Sequence, residues 1–472
     1  MKKITIAVLL LVLTLLVAPW GIGQLAERRV NAGLDRIVEQ APYLTIAERQ
    51  WTRGWFRSEQ KVTFEVPGTA MHALDPATQA GEPVRFTVRN EILHGPLLWP
   101  ASLGLARINT RLELDAKTRQ KIVAIFGSDD PVRMSTRAGF FGGGTTRLSG
   151  DGRTIKNQDG KGSLQYDDYR LDVDYSGDLD DIELDGRWPK LEIFPADGGS
   201  VRIDDVTLTS RGERILRDLY DTDARLRIDK VSIVGADKSE MVIEDVHYLV
   251  DTQVDGEFAS LGTKLGSGRV HTRELEEMKL ELEELHYDLT LRRLHVETLA
   301  NFYTGFKKMY ERPPVLSGER SQALFGPLWQ HGAELLKYDP ELVIDRIGVA
   351  TPDGTGYIQG VLRLKGATAE DFQAGFMALV AKLEADIHID VAQKLIEKIP
   401  SGATSAGAAL DAGYAQRDGE KLVSHIEFRH GELKVNGKAQ GIPGIGGPPA
   451  AAEGMPPGGD VPPPSMRVPP QE

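Results

Sequence analysis

The chain has 472 residues, a formal net charge of −13 and no cysteine. The acidic balance argues against nucleic acid as a partner, because binding phosphates requires a basic face. The absence of cysteine excludes disulfides, cysteine metal ligands and thiol catalysis, and it suits an oxidising compartment. The length is sufficient for several domains or for one large sheet.

The N-terminus contains an apolar run that predicts a membrane anchor. Residues Ile4–Ile22 carry no charge, and at the rise of an α-helix they would span about 28 Å, close to the thickness of a bilayer core. Trp20 would lie at the membrane interface. We predict an uncleaved transmembrane signal anchor over residues 1–25. The alternatives are a cleaved signal peptide and a buried core helix.

The charges on both sides of this run bear on its orientation. Lys2 and Lys3 favour an N-terminus on the inside, whereas Arg28, Arg29 and Arg36 favour the opposite orientation. Because the chain has a single apolar run and no cysteine, we expect its body to lie outside the cytoplasm.

From about residue 43 to residue 291, alternation of apolar and polar residues predicts short strands. Residues 50–66, QWTRGWFRSEQKVTFEV, predict a hairpin around Arg53 and Gly54. The turns are too closely spaced for crossover helices, so the sheet should be largely antiparallel. One of its faces should be apolar and the other polar.

A six-residue phrase occurs six times, with apolar residues at its first, fourth and sixth places and charged residues at the second and third. The two successive charged residues interrupt the period of a strand, which predicts a bulge or a bend at a strand start. In the copy IDDVTL, Ile203, Val206 and Leu208 would point inward, and Asp204 and Asp205 would lie at the rim. The alternative is that acid-rich strand starts are common in β proteins. The copies begin at Leu179, Ile203, Ile228, Ile243, Leu282 and Ile344.

Two later segments have the periodicity of helices. Residues 294–312 predict a helix with an apolar stripe, and residues 367–385 predict a second helix that begins with a capping box at Thr368 and Asp371. Core packing is the main interpretation of both stripes; contact with a membrane or a partner is the alternative. The stripe residues are Leu299, Phe302, Phe306 and Met309 in the first segment, and Phe372, Phe376, Leu379, Val380 and Leu383 in the second.

The end of the chain returns to strands and then changes composition. Strands are predicted at residues 386–391, 422–428 and 432–435, and residues 441–472 contain ten prolines. Such a segment is typical of a disordered or polyproline tail. We therefore divide the chain into an anchor (1–25), a β-rich body (26–300), a helix-containing continuation of that body (301–440) and a disordered tail (441–472).

Motifs of common enzyme classes are absent from the sequence. It has no G-x-S-x-G elbow, no H-E-x-x-H, no P-loop and no dinucleotide fingerprint. The glycine run at residues 142–144 is interpreted as a hairpin loop. We assign no catalytic residue and no cofactor. A hydrolase would require a cluster of perturbed acids or a Ser–His pair in one pocket.

One pattern matches a calcium loop. Residues 172–183 have the acidic, serine and glycine positions of an EF-hand loop. The context opposes this interpretation, because an EF-hand needs a helix on each side and the flanking sequence predicts strands. A hairpin turn is the alternative. The candidate ligands are Asp172, Asp174, Ser176, Asp178 and Glu183.

Several phrases occur in an order that resembles a known family. RGWFRS at residues 53–58 is similar to an R-G-x-F-x-S turn, and residues 94–96 are similar to an H-G-P element. Residues 382–396 and 431–438 are similar to a C-terminal signature. Together they resemble the bacterial family of unknown function typified by YdgA, from the anchor to about residue 440. The tail after Gly441 departs from it.

This resemblance implies an inner-membrane anchor, a large periplasmic β-rich body and no established catalytic activity; it defines no functional residues. We therefore expect an α+β fold that is mainly β: a transmembrane helix followed by an extended, curved, largely antiparallel sheet. The leading hypothesis is a non-enzymatic envelope protein that handles lipid or another hydrophobic ligand in a β groove. The alternatives are a scaffold that binds envelope proteins and, third, a hydrolase with an unrecognised site. A homodimer is one expected oligomeric state.

Overall fold

The computed structural model of the chain describes residues 2–40, 44–66, 84–98, 102–113, 119, 123, 131–156, 161–217, 219–310 and 332–441. The predicted tail therefore lies outside the described residues, except for Gly441. The side chains of residues 2–17, on which most of the predicted anchor falls, also lie outside them.

The first half of the chain forms short strands that lengthen toward the middle. They are β1 Thr45–Arg53, β2 Arg57–Val66, β3 Val84–His94, β4 Leu97–Leu98, β5 Ser102–Leu103, β6 Ala106–Glu113, β7 Arg133–Ala138, β8 Gly144–Gly150, β9 Arg153–Lys156, β10 Ser163–Tyr166, β11 Tyr169–Tyr175, β12 Asp181–Phe194 and β13 Ser200–Leu216.

The second half continues the strand series. Its strands are β14 Leu219–Val234, β15 Glu240–Asp255, β16 Phe258–Ser267, β17 Val270–Thr272, β18 Glu284–His295, β19 Glu341–Thr351, β20 Gly354–Leu364, β21 Leu383–Ala392, β22 Gln416–Asp418, β23 Lys421–Arg429, β24 Glu432–Val435 and β25 Lys438–Gln440.

Among the described residues, the helices with assigned bounds are few and mostly short. They are α1 Lys2–Gln40, α2 Arg273–Glu277, α3 Val296–Tyr310, α4 Ala369–Ala374, α5 Phe376–Val380, α6 Gln393–Lys398 and α7 Gly402–Asp411, with a 3-10 turn at Leu336–Tyr338.

Within the described residues, 23 of the strands form one sheet. Each paired strand runs antiparallel to its neighbour, and most neighbours in the sheet are also neighbours in the sequence. The main order is β1-β2-β3-β6-β7-β8-β11-β12-β13-β14-β15-β16-β18-β19-β20-β21-β23-β24-β25. The prediction of a mainly β, largely antiparallel protein with few helices is confirmed.

Local predictions differ in their outcome. The hairpin predicted around Gly54 is confirmed, since Arg53 pairs with Ser58 at the end of β1 and β2. The glycine run at 142–144 lies at the β7–β8 hairpin loop, as predicted.

The single helix predicted over residues 367–385 is wrong, although its capping box at Thr368 and Asp371 is present. Gly375 adopts φ of +99° and separates α4 from α5, and strand β21 begins at Leu383.

Apolar side chains of the sheet are buried where a helix covers them. Ala26 of α1 packs on Ile92 and Ala106, and Leu299 of α3 packs on Ala259 and Leu294. A third cluster joins α6 to residues near α2; it consists of Leu280, Ala392 and Leu395 with Leu275, Met278, Val349 and Val391 around them.

Helix α1 is tied to the first strands by polar contacts as well. Asp35 pairs with Arg49 at 2.6 Å, Glu27 pairs with Arg53, and Asn31 accepts a hydrogen bond from Gln60. Among the helices of the described residues, none combines the length and apolarity needed to cross a membrane.

The repeated six-residue phrase coincides with an interruption of the ladder. Cross-strand pairing skips one residue in each of four neighbouring strands, at Pro189, Asp205, Asp229 and Asp245. We call these four residues the crease. Asp205 and Asp245 have φ of +49° and +50°, and Pro189 has no N–H to donate, which suits a position without a ladder hydrogen bond.

The other copies lie at strand starts or at a bulge. LDDIEL leads into β12, LEELHY leads into β18, and Asp345 and Arg346 together oppose Gln359 as a bulge of β19. A bulge is thereby confirmed for the copy at Ile344, whereas the copies at Ile203, Ile228 and Ile243 interrupt the ladder without a change of register. The predicted rim position of Asp204 and Asp205 is wrong. Both lie inside β13, which is paired on both sides, and they contact arginines of the polar face: Asp204 pairs with Arg202 and Asp205 with Arg187.

Candidate functional site

A continuous row of apolar side chains crosses eight strands of the sheet. Each residue pairs directly with the next, so all eight project from the same face. At about 4.8 Å per strand the row is roughly 34 Å long. We call it the apolar lane; it consists of Leu208, Leu226, Tyr248, Leu265, Tyr287, Ile347, Ile358 and Ile389.

Neighbouring rows on this face also lack charge. Two residues away along the strands on one side lie Val206, Ile228, Val246, Leu285, Val349 and Val391. On the other side lie Ser210, Ala224, Val250, Thr263, Leu289, Ile344 and Ile387.

Helices flank the lane on the same face. Leu261 packs against the buried cluster that contains Leu299 of α3, and Val349 packs against the buried cluster that contains Leu395 of α6. In strand β18, Leu291 pairs with Leu261 and Leu285 pairs with Val349. These two β18 positions lie about 20 Å apart along the strand. The lane therefore has the apolar sheet as its floor and a helix on each side.

Side chains of the lane remain accessible. Tyr248, Leu265 and Tyr287, in the middle of the row, are 41%, 41% and 45% exposed, and none of the eight is buried. A continuous exposed apolar patch usually marks a site for a hydrophobic ligand, a membrane or a partner.

The opposite face is solvated and held by ion pairs. Arg227 pairs with Asp245 at 3.1 Å, and Arg202 lies between Asp204 at 2.8 Å and Glu192 at 3.4 Å. Exposed pairs of this kind contribute about 0–1 kcal/mol each. One face is thus polar and the other apolar, as the alternation predicts. The apolar face is the candidate binding surface, because part of it remains exposed.

The calcium candidates lie on a strand hairpin. Asp172 and Asp174 lie on β11, Glu183 lies on β12 directly opposite Asp174, and Ser176 and Asp178 lie in the turn between them. Strands on both sides agree with the hairpin alternative. Calcium binding here stays a prediction.

Asp172 is already engaged by two cations. Its carboxylate accepts hydrogen bonds from Arg147 at 2.7 Å and from Arg170. Burial raises the pKa of Asp172, but the hydrogen bonds from Arg170 and Arg147 outweigh it and leave the pKa below its ordinary value. This carboxylate therefore stabilises the β8–β11 pair as an ionised group.

A Ser–His pair lies beneath helix α1. Ser58 Oγ is 2.9 Å from His94 Nε2, and His94 Nδ1 is 3.1 Å from the carbonyl oxygen of Trp55. In the neutral imidazole this arrangement places the proton on Nδ1 and lets Nε2 accept from the hydroxyl. Both residues are buried, and Gly23 of α1 lies directly on the imidazole. The buried pair therefore forms part of the packing between α1 and the sheet.

A three-membered ligand set was missed by the sequence reasoning. Within the described residues, Asp386, His388 and His425 bring carboxylate and imidazole atoms to within 4.8 Å of one another. The alternation Asp-Ile-His-Ile-Asp at 386–390 places Asp386 and His388 on one face of a strand. Nothing local indicates His425, because it comes from another strand.

The fold and this surface define a protein built on one antiparallel sheet with an exposed apolar lane. Residues 1–441 match the family described as "Bacterial protein of unknown function (DUF945)", and the chain belongs to this family. The resemblance to a bacterial family of unknown function is thereby confirmed. No curated protein and no solved structure matches the chain.

Proposed function

We propose that this chain is a non-enzymatic, membrane-anchored envelope protein that holds the acyl chains of a lipid along its apolar lane. The observation that carries the proposal is the row of eight directly paired apolar side chains, exposed in its middle at Tyr248, Leu265 and Tyr287.

The dimensions and chemistry of the lane favour hydrocarbon. An acyl chain occupies about half of a bilayer core, roughly 15 Å, so a lane of roughly 34 Å has room for more than one chain end to end. A protein partner would require about one hydrogen bond per 100–200 Å² of interface. The lane and its neighbouring rows contain no charged side chain, which suits a ligand without donors.

The location of the protein is the second part of the proposal. The uncharged run Ile4–Ile22 with Trp20 near its end supports a single inner-membrane anchor, which the resemblance to the family typified by YdgA also implies. The absence of cysteine supports a body in the periplasm. Such an anchor would hold the lane close to a source of lipid.

The test is photo-crosslinking of the full chain in phospholipid vesicles that contain a phospholipid with a photoreactive acyl chain. We expect crosslinks at lane residues such as Leu265 and Tyr287. Leu265→Asp should reduce the crosslinked fraction at least about tenfold, since a charge in an apolar site costs more than 1.4 kcal/mol.

Leu249→Asp is the matched control. Leu249 lies next to Tyr248 but on the polar face, where it pairs with Lys264, so a carboxylate there should leave crosslinking unchanged. Crosslinks confined to residues 4–22, or equal losses in both variants, would overturn lipid binding in the lane. A stoichiometric protein partner that protects the lane would instead favour the scaffold function.

A further inference from the structure

Two histidines face each other across strands β21 and β23. His388 pairs directly with His425, and their imidazole rings stack with centroids 4.1 Å apart and planes 17° apart. Side chains of directly paired residues in antiparallel strands project from the same face, with Cβ atoms about 4.5–5.5 Å apart. Both imidazoles therefore start from positions that allow them to reach one ion.

Asp386 supplies a carboxylate to the same point. It lies two residues before His388, on the same face of β21. Its Oδ1 is 2.9 Å from His425 Nε2 and 3.5 Å from His388 Nδ1. Two ligands of a tetrahedral zinc ion, each about 2.0–2.1 Å from the metal, lie about 3.3 Å apart. Both separations are close to that value.

Neighbouring groups position these ligands. The Arg429 guanidinium lies 3.7 Å from Asp386 Oδ2, which leaves Oδ1 to the histidines. The backbone N–H of His425 donates to Asn436 Oδ1 at 2.9 Å, and the N–H of Asn436 donates to the His425 carbonyl at 2.8 Å. These two hydrogen bonds fix the backbone position from which the His425 imidazole projects.

We propose that Asp386, His388 and His425 form a binding site for a divalent transition metal ion, with Zn²⁺ as the favoured ion. Two imidazoles and one carboxylate suit zinc and its first-row neighbours, whereas Ca²⁺ and Mg²⁺ take oxygen ligands. Three protein ligands leave a fourth position for water or another donor. All three side chains are 37–62% exposed, so the ion enters from solvent and the imidazole of His388 can rotate toward it. The site is independent of the apolar lane.

The test is titration of the full chain, purified without a histidine tag, with Zn²⁺ in a calorimeter. We expect one zinc ion per chain. Loss of an outer contact at a metal site costs 10–100-fold in affinity, so loss of a ligand in His388→Ala or His425→Ala should cost at least about 100-fold. The visible absorption of added Co²⁺ should report a tetrahedral site in the wild type and disappear in both variants.

His271→Ala is the control, because His271 lies 3.5 Å from Glu276 in a pair that lacks a third ligand among the described residues. It should retain full zinc binding. His425→Gln keeps a donor toward Asp386 without a metal-binding imidazole, so it should fold and still lose zinc. No zinc binding by the wild type would overturn the proposal. So would equal affinities of the wild type and the His388 and His425 variants.

Discussion

Ser58 Oγ lies 2.9 Å from His94 Nε2, and this buried contact joins the start of strand β2 to the end of strand β3 beneath helix α1. His94→Ala removes the partner of a buried hydroxyl. We expect the free energy of unfolding to fall by about 1–3 kcal/mol, measured by urea unfolding of the full chain.

The control for this variant is His271→Ala, at an exposed histidine of the same sheet. A surface substitution of this kind should change stability by less than about 0.5 kcal/mol. A similar loss in the two variants would contradict a structural role for the Ser58–His94 pair.

Gly23 and Gly33 of α1 should respond in opposite directions to alanine. A Cβ at Gly23 would lie 2.5 Å from Cε1 of His94, whereas a Cβ at Gly33 would meet nothing within 4 Å. Gly33→Ala should stabilise the chain by about 0.5–1 kcal/mol through helix propensity. Gly23→Ala should destabilise it by about 1–3 kcal/mol through overpacking. The measurement is the urea midpoint of each variant relative to the wild type. If both substitutions raise the midpoint, α1 does not pack on His94.

Ionisation of Asp172 should make the free energy of unfolding depend on pH in the acidic range. Its pKa is lowered in the folded state, because hydrogen bonds from Arg170 and Arg147 outweigh the burial that raises it. A lowered folded pKa stabilises the protein above the ordinary aspartate pKa of about 3.9, and this contribution is lost as the pH falls through the folded value.

The corresponding measurement is urea unfolding between pH 7 and pH 3 for the wild type and for Asp172→Asn. The substitution should cost about 1–2 kcal/mol at pH 7, and the gap between the two proteins should narrow as the pH falls below about 4. A gap that stays constant to pH 3 would show that ionised Asp172 contributes nothing specific.

Two neighbouring positions of the crease, Asp205 and Asp229, should differ in how well they accept valine. Asp205 has φ of +49°, whereas Asp229, at the same level of the adjacent strand, is not in the left-handed region. Asp205→Val should cost about 1–3 kcal/mol, because a β-branched residue is strained at positive φ. Asp229→Val should cost less than about 1 kcal/mol, and Asp205→Gly should be close to neutral. Equal unfolding midpoints for the two valine variants would mean that the backbone at Asp205 is not left-handed.

Elements with strong local signals could be predicted from the sequence. The hairpin around Gly54 and the strand at 432–435 agree with the structure because alternation and turn glycines act over a few residues. The single helix predicted over residues 367–385 does not agree with the structure, although Gly375 lies inside the apolar pattern that predicted it. Its apolar spacing is compatible with a continuous helix, but the extended backbone with positive φ at Gly375 ends one.

Sites that need two distant strands could not be predicted in this way. His388 and His425 are brought together by the register of β21 on β23, and the apolar lane exists because the seven registers between its eight strands coincide. The Ser58–His94 contact likewise depends on the pairing of β2 with β3.

By itself, the sequence determined that this is a mainly β, largely antiparallel protein whose repeated phrase interrupts its strands. These properties depend on the period of side chains along a single strand. Only the tertiary structure decided that the interruptions at Asp205, Asp229 and Asp245 align as one crease, and that apolar residues of separate strands form one lane. Register is a relation between strands, and a shift of one residue would turn every side chain of a strand to the other face.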